Sequence, residues 1–179
     1  IRITVIRDND IAMKHFEKGD LDAFGLVLPS LWHDKSNSGP YQKGYIEKFW
    51  GYTHVVRNGE PYVKENGSIT LISGTPARKY KSGSSSLSCT GGAVEAFVKA
   101  LAIEIAPKRI NAVSPGLIDT AMWDGFGDNK QQQLADMTAN IPLGRAGLPE
   151  EVANGVIFAM TTNYATGTTI DVEGGMLIS

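Results

Sequence analysis

Gly67 to Ser73, GSITLIS, and Arg109 to Gly116, RINAVSPG, are the stretches whose reading decides the fold. The first is a nearly continuous β-branched run, which predicts a strand buried on both faces, as in a parallel sheet covered by helices. The second predicts another strand over Arg109 to Val113, halted by Ser114-Pro115-Gly116. Between them, Leu87 to Ala106 reads as a helix, with Ala93, Phe97, Ala100, Leu101 and Ile105 on one face at helical spacing and Pro107 ending it. A strand, a helix and a strand in that order predict a right-handed crossover joining parallel neighbours.

The same alternation extends outward. Downstream, residues 117–147 read as irregular apart from an amphipathic helix over Lys130 to Ala139. Pro149 starts a helix running to Met160, and Thr168 to Val172 is a strand stopped by Gly174-Gly175. Upstream, a helix runs from Tyr41 toward Glu60, is interrupted at Gly59-Glu60-Pro61 and closes over Tyr62 to Glu65. Before it come a polar loop from Trp32 to Pro40, a strand over Leu21 to Leu28, a helix over Ile11 to Lys18 and a strand over Ile1 to Ile6. The expected architecture is a single α/β domain over residues 1–179, a doubly wound parallel sheet with helices on both faces.

Composition narrows the function classes. The 179 residues are 42% apolar and 20% charged, the mixture of an ordinary globular protein. A net charge of -2 argues against nucleic acid or an anionic membrane surface as partner. Cys89 is the one cysteine, so no intrachain disulfide is expected and a cytoplasmic location is the natural expectation. The most apolar stretch, Ala93 to Ala106, contains Glu95, Lys99 and Glu104, so no membrane span is expected. His15, His33 and His54 lack metal-ligand spacing, and no metal site is expected.

From about Asp8 onward, this order of elements resembles the short-chain dehydrogenase/reductases from their third strand. The resemblance is carried by GSITLIS, by Ala93 to Ala106 (AVEAFVKALAIEIA), by RINAVSPG with Thr120 after it, by Pro142 to Ala153 (PLGRAGLPEEVA) and by Gly167 to Gly175 (GTTIDVEGG). It implies a Rossmann-like fold, an NAD- or NADP-linked oxidoreductase acting on a small carbonyl or alcohol, and a substrate lobe at 117–147. In an open parallel sheet, ligands bind at the carboxyl ends of the strands. Pro115 fixes a turn there, Gly116 permits close approach, and the Thr120 hydroxyl can bond a phosphate or carboxamide. The resemblance carries contact with the nicotinamide half of the cofactor onto Pro115, Gly116, Ile118 and Thr120, and an adenine-side role onto Asp8.

Two features of the family are missing. No G-x-G-x-x-G or G-x-x-x-G-x-G phosphate loop occurs, so the first strands are expected to lie outside this sequence. The family's proton relay uses a Tyr, a Lys four residues on, and a Ser thirteen residues before the Tyr. Aligned on Ala93-Val94-Glu95, these fall on Leu87, Gly91 and Gly74, and the relay's helix Asn falls near Lys48. No Tyr-x-x-x-Lys pair exists in the chain. The resemblance is to a divergent branch without that motif. Ser73 and Lys48 are the only substitutes offered as catalytic groups, and a nucleotide- or partner-binding pseudoenzyme is the alternative. The family also implies a dimer or tetramer through helices 41–60 and 87–106, aided by the small Gly91, Gly92 and Ala93.

Overall fold

The computed structural model describes residues 39–179, with side chains from Lys48 onward. Asp8 and the predicted elements over 1–28, with the loop from Trp32, lie outside the described residues. The chain divides into two compact units, meeting between Pro61 and Tyr62.

In the first unit, helix α1 spans Gly39–Gly59. It starts before the predicted Tyr41, because proline is well accommodated in a helix's first turn, where its missing N–H costs nothing. The predicted closing turn over Tyr62 to Glu65 is not helical: a 3₁₀ segment covers Glu60–Tyr62 and stops. Pro61 lacks the N–H that an α-helix needs at that point.

The second unit holds the sheet. Its elements are β1 (Ser68–Ile72), α2 (Ser85–Glu104), β2 (Arg109–Pro115), α3 (Lys130–Thr138), α4 (Pro149–Thr161) and β3 (Thr169–Val172), with 3₁₀ segments at Thr75–Ala77 and Ala121–Asn129. The strand order is β1-β2-β3, and both pairings are parallel, with Ile72 opposite Val113 and Ser114 opposite Asp171. β2 therefore lies between two neighbours, and its residues from Arg109 to Ser114 are all buried. Helix α4 covers one face: a Cβ on its Gly155 would stand 2.9 Å from Val172 and 3.4 Å from Val113. Helix α2 covers the other. Its length and composition would allow a bilayer crossing, but Val94 and Val98 are fully buried, so it is the core helix of this unit.

The buried stripe of α2 is Thr90, Gly91, Val94, Glu95 and Val98. The predicted face of Ala93, Phe97, Ala100, Leu101 and Ile105 is rotated away from it, and Ala100 is exposed. The reason is chemical. Helical periodicity marks an apolar stripe, whereas the sheet-facing stripe contains a threonine, a glycine and a carboxylate whose burial depends on partners remote in sequence.

The RINAVSPG stretch anchors β2 through two polar side chains on the α4 side. Arg109 donates to the carbonyls of Ala159, Met160 and Ala165 at 2.9, 2.7 and 3.2 Å, satisfying groups at and beyond the end of α4. Asn111 donates to Ala165 O at 2.8 Å and accepts from Thr168 N at 3.2 Å, which fixes the entry into β3. With Val113, Ile110 and Ala112 fully buried around them, these bonds run in a dry environment.

Candidate active site

β1, β2 and β3 end on the same side of the sheet, and the predicted ligand-contact residues follow the end of β2. Pro115 is the last residue of that strand. Gly116 donates its N–H to Val172 O at 3.0 Å, and a Cβ on it would stand 2.8 Å from Glu173 Cα. Its lack of a side chain is thus required by the chain itself, where β2 runs close against the turn after β3. Gly174 and Gly175 follow with φ of 68° and 90°, a left-handed backbone that glycine adopts without strain. Ile118 bridges Gly147 in parallel fashion, with Asp119 N donating to Gly147 O at 2.8 Å. The Thr120 hydroxyl accepts from Met122 N at 3.3 Å, so it caps the 3₁₀ segment, while its carbonyl receives Lys130 Nζ at 3.1 Å.

Beside Ile118 the surface is concave, lined by Ile118, Leu143, Val172, Arg145, Glu151 and Glu173. Arg145 pairs with Glu151, Nη2 to Oε1 at 2.7 Å and Nη1 to Oε2 at 2.9 Å. That pairing, with an N–H bond from Leu148 at 2.7 Å, holds the Glu151 carboxyl down at about 2. Glu173 accepts from Leu177 N at 2.7 Å. The lining thus carries two carboxylates against one guanidinium.

The positions that align with the family's proton relay are as follows. Gly74 lies in extended backbone just past β1, before the Thr75–Ala77 segment. Leu87, in the first turn of α2, is 39% exposed. Gly91, one turn on, is buried, and a Cβ there would stand 2.9 Å from Ala77 Cβ. The Thr75–Ala77 segment therefore occupies the space that a side chain at position 91 would need.

Ser73 is buried, and its hydroxyl faces α2: it donates to Glu95 Oε1 at 3.0 Å, with Gly91 O at 3.3 Å. Glu95, also buried, meets Arg78 Nε at 3.2 Å. The Arg78 guanidinium continues to Asp171 on β3, with Nη1 to Oδ2 at 2.9 Å and Nη2 to Oδ1 as the second bond of the fork. The Asp171 bond, together with the attraction of Glu95, raises the Arg78 pKa further above its already high value. A chain Ser73–Glu95–Arg78–Asp171 thus ties the end of β1, α2 and β3 together. Motif reading missed Arg78, Glu95 and Asp171. The one available signal was a carboxylate at position 95 directly beside the apolar Ala93, Val94, Ala96 and Phe97.

The remaining candidates stand outside that network. Lys48 is on α1, its Nζ 5.8 Å from the Tyr52 ring centroid, and although its residue is solvent-exposed, desolvation of the ammonium lowers its pKa from the ordinary value. Ser84 takes the N-cap position of α2, but its hydroxyl donates to Lys81 O at 2.6 Å and does not cap the helix N–H groups. Cys89 is exposed. Among the described residues no group of three or more metal-ligating side chains converges.

Comparison with known proteins places this geometry. The family model described as "Enoyl-(Acyl carrier protein) reductase" matches residues 43–177. The short-chain dehydrogenase/reductase ATR9 of Stachybotrys chlorohalonatus is 39% identical over 111 residues, 62% of this chain and 44% of its own length. The chain spans about half the length of the curated relatives it matches. A small-chain dehydrogenase solved in complex with NADPH superposes with a TM-score of 0.73 at 32% identity, covering 96% of this chain and 81% of that one. An NADPH-bound short chain oxidoreductase from Pseudomonas aeruginosa PAO1, described as containing an atypical catalytic center, superposes with a TM-score of 0.69 at 26% identity, covering 89% and 62%.

Proposed function

The chain belongs to the short-chain dehydrogenase/reductase family, and on that premise we propose that it is an NAD(P)-linked oxidoreductase with an atypical active site. When bound past the strand ends beside Ile118, the nicotinamide would supply hydride to, or take it from, a small molecule. The observation that carries this reading is the close-packed corner at Pro115-Gly116, which sets Ile118 and the concave surface beside it past the end of the central strand of the described sheet. The protein's task is orientation, since the hydride chemistry belongs to the cofactor.

In this reading Gly74, Leu87 and Gly91 supply no proton. Lacking a positioned acid lowers the rate of a carbonyl reduction by roughly 10²- to 10⁴-fold. A second reading, a nucleotide-binding protein without redox activity, is favoured by one observation: Ala77 fills the space of a side chain at position 91.

Fluorescence titration of the full-length protein with NADPH and with NADH tests the first reading. Saturable binding followed by substrate-dependent cofactor oxidation supports it. Binding without turnover across a broad substrate panel selects the second reading, and failure to bind either nucleotide excludes both.

A further inference from the structure

Independently of the hydride-transfer reading, we propose that residues 176–179 form a strap. It is hinged at Gly174-Gly175 and pinned by Lys79, and its opening frees the Glu173 carboxylate at the concave surface.

β3 ends at Val172, and the chain past it leaves the sheet. Among the described residues a single main-chain bond, Leu143 N to Gly174 O at 3.1 Å, joins 173–179 to the rest. Two more, Met176 N to Glu173 O and Ile178 N to Gly175 O, are internal to the segment and long, at 3.2 Å each. Residues 176–179 are held chiefly by one side chain. Lys79 Nζ donates to Met176 O and Ser179 O, both at 2.6 Å, and to Ser179 Oγ at 2.8 Å, which engages all three of its N–H groups. Thr75 Oγ1 adds a weak bond to Met176 Sδ at 3.3 Å. Met176 and Leu177 are half-buried and Ile178 is 87% exposed, so apolar burial contributes little at the far end.

The pin, by contrast, is firmly mounted. Lys79 follows the Thr75–Ala77 segment, whose Ala77 packs on Gly91, and its neighbour Arg78 is held between Asp171 and Glu95. Lys79 N also donates to Thr75 O at 2.8 Å. A fixed pin and a thinly attached segment form the arrangement in which the segment opens locally while the sheet stays folded.

The strap reaches the concave surface through one bond. Leu177 N donates to Glu173 Oε2 at 2.7 Å, and Glu173 lines that surface together with Gly174. With the strap down, this bond orients the carboxylate. Gly174 and Gly175, at φ of 68° and 90°, absorb the backbone rotation that lifting requires. Once lifted, the carboxylate loses its Leu177 donor and is free to take another at the surface. Lys79 is thus a positioning residue for Glu173, acting through the strap.

Hydrogen exchange of the full-length protein, read by mass spectrometry on peptides covering 173–179 and 109–115, tests the proposal. Lys79→Met is expected to speed exchange across 173–179 by roughly 10- to 100-fold, the worth of bonds from a charged donor. Exchange across 109–115, on β2, should be unchanged. Lys79→Arg, which keeps charge and donors, should exchange more slowly than Lys79→Met. Glu173→Ala, with Lys79 intact, should also speed exchange across 173–179. An unaltered 173–179 in Lys79→Met overturns the proposal, as does equal exchange for the methionine and arginine variants. A parallel rise across 109–115 overturns it too, because the segment then opens only with the sheet. No change in Glu173→Ala breaks the link between strap and carboxylate, and the proposal with it.

Discussion

A Cβ added to Gly91 would stand 2.9 Å from Ala77 Cβ, closer than packed carbon atoms approach. The position that the resemblance aligns with the family's lysine is thus closed by the segment that follows β1. Gly91→Lys, alone or with Leu87→Tyr, is expected to destabilise the fold by about 1–3 kcal/mol, the usual cost of overpacking. Adding Ala77→Gly should recover much of that loss. Urea denaturation of the three variants measures it, and an undiminished midpoint for Gly91→Lys would contradict the packing described.

Glu95 is the acceptor for both Ser73 and Arg78. Glu95→Ala leaves the buried Ser73 hydroxyl only its longer bond to Gly91 O, and frees one side of a part-exposed guanidinium that Asp171 still holds. The expected loss is about 1–3 kcal/mol, discounted for the solvent that reaches Arg78. Glu95→Gln keeps an acceptor for Ser73 and should lose less. Equal losses for the two substitutions would mean that hydrogen bonding at this position is unimportant.

Arg109 closes the carbonyl end of α4 with three bonds. Arg109→Met removes this donor from the Ala159 and Met160 carbonyls, while Ala165 O keeps its bond from Asn111, and should cost about 2–3 kcal/mol. Arg109→Lys should recover only part, because an ammonium cannot match the planar fork. Thermal denaturation of both variants gives the comparison. Full rescue by lysine would show that charge alone is required.

Acid sensitivity should be traceable to Glu151. Its folded pKa of about 2 lies below the ordinary 4.5, so its ionised form is favoured by folding. The contribution is complete above the ordinary value and is lost as the pH falls from there toward about 2. Arg145→Met removes the larger cause and should raise the Glu151 pKa toward the ordinary range, read by NMR titration of the side chain. Because the pair is exposed, high salt should produce a partial version of the same shift.

Self-association is proposed through the helices at 41–60 and 87–106. Supporting it, Ile103 on α2 is 82% exposed, apolar surface that a second copy would cover. Light scattering should give a dimer or tetramer, and Ile103→Glu should shift it toward monomer. A monomeric parent protein would end this proposal.

Much of the fold was legible because strand and helix periods are local properties. GSITLIS, RINAVSPG and the proline that opens α4 lie within a residue or two of where pattern predicts. That no Tyr-x-x-x-Lys pair occurs in the chain was equally legible, since it needs only spacing. Sequence by itself therefore determined the order of the elements, the kind of sheet and the absence of the Tyr-x-x-x-Lys pair.

Tertiary structure alone decided which face of α2 is buried, what occupies the space at Gly91 and why Gly116 is a glycine. It also decided where the Ser73 hydroxyl points. Each of these depends on a contact between residues far apart in the chain: Glu95 with Arg78, Ala77 with Gly91, Glu173 with Gly116. Local pattern carries no information about such pairs. Their distances are set only when the strands align and the helices settle on the sheet.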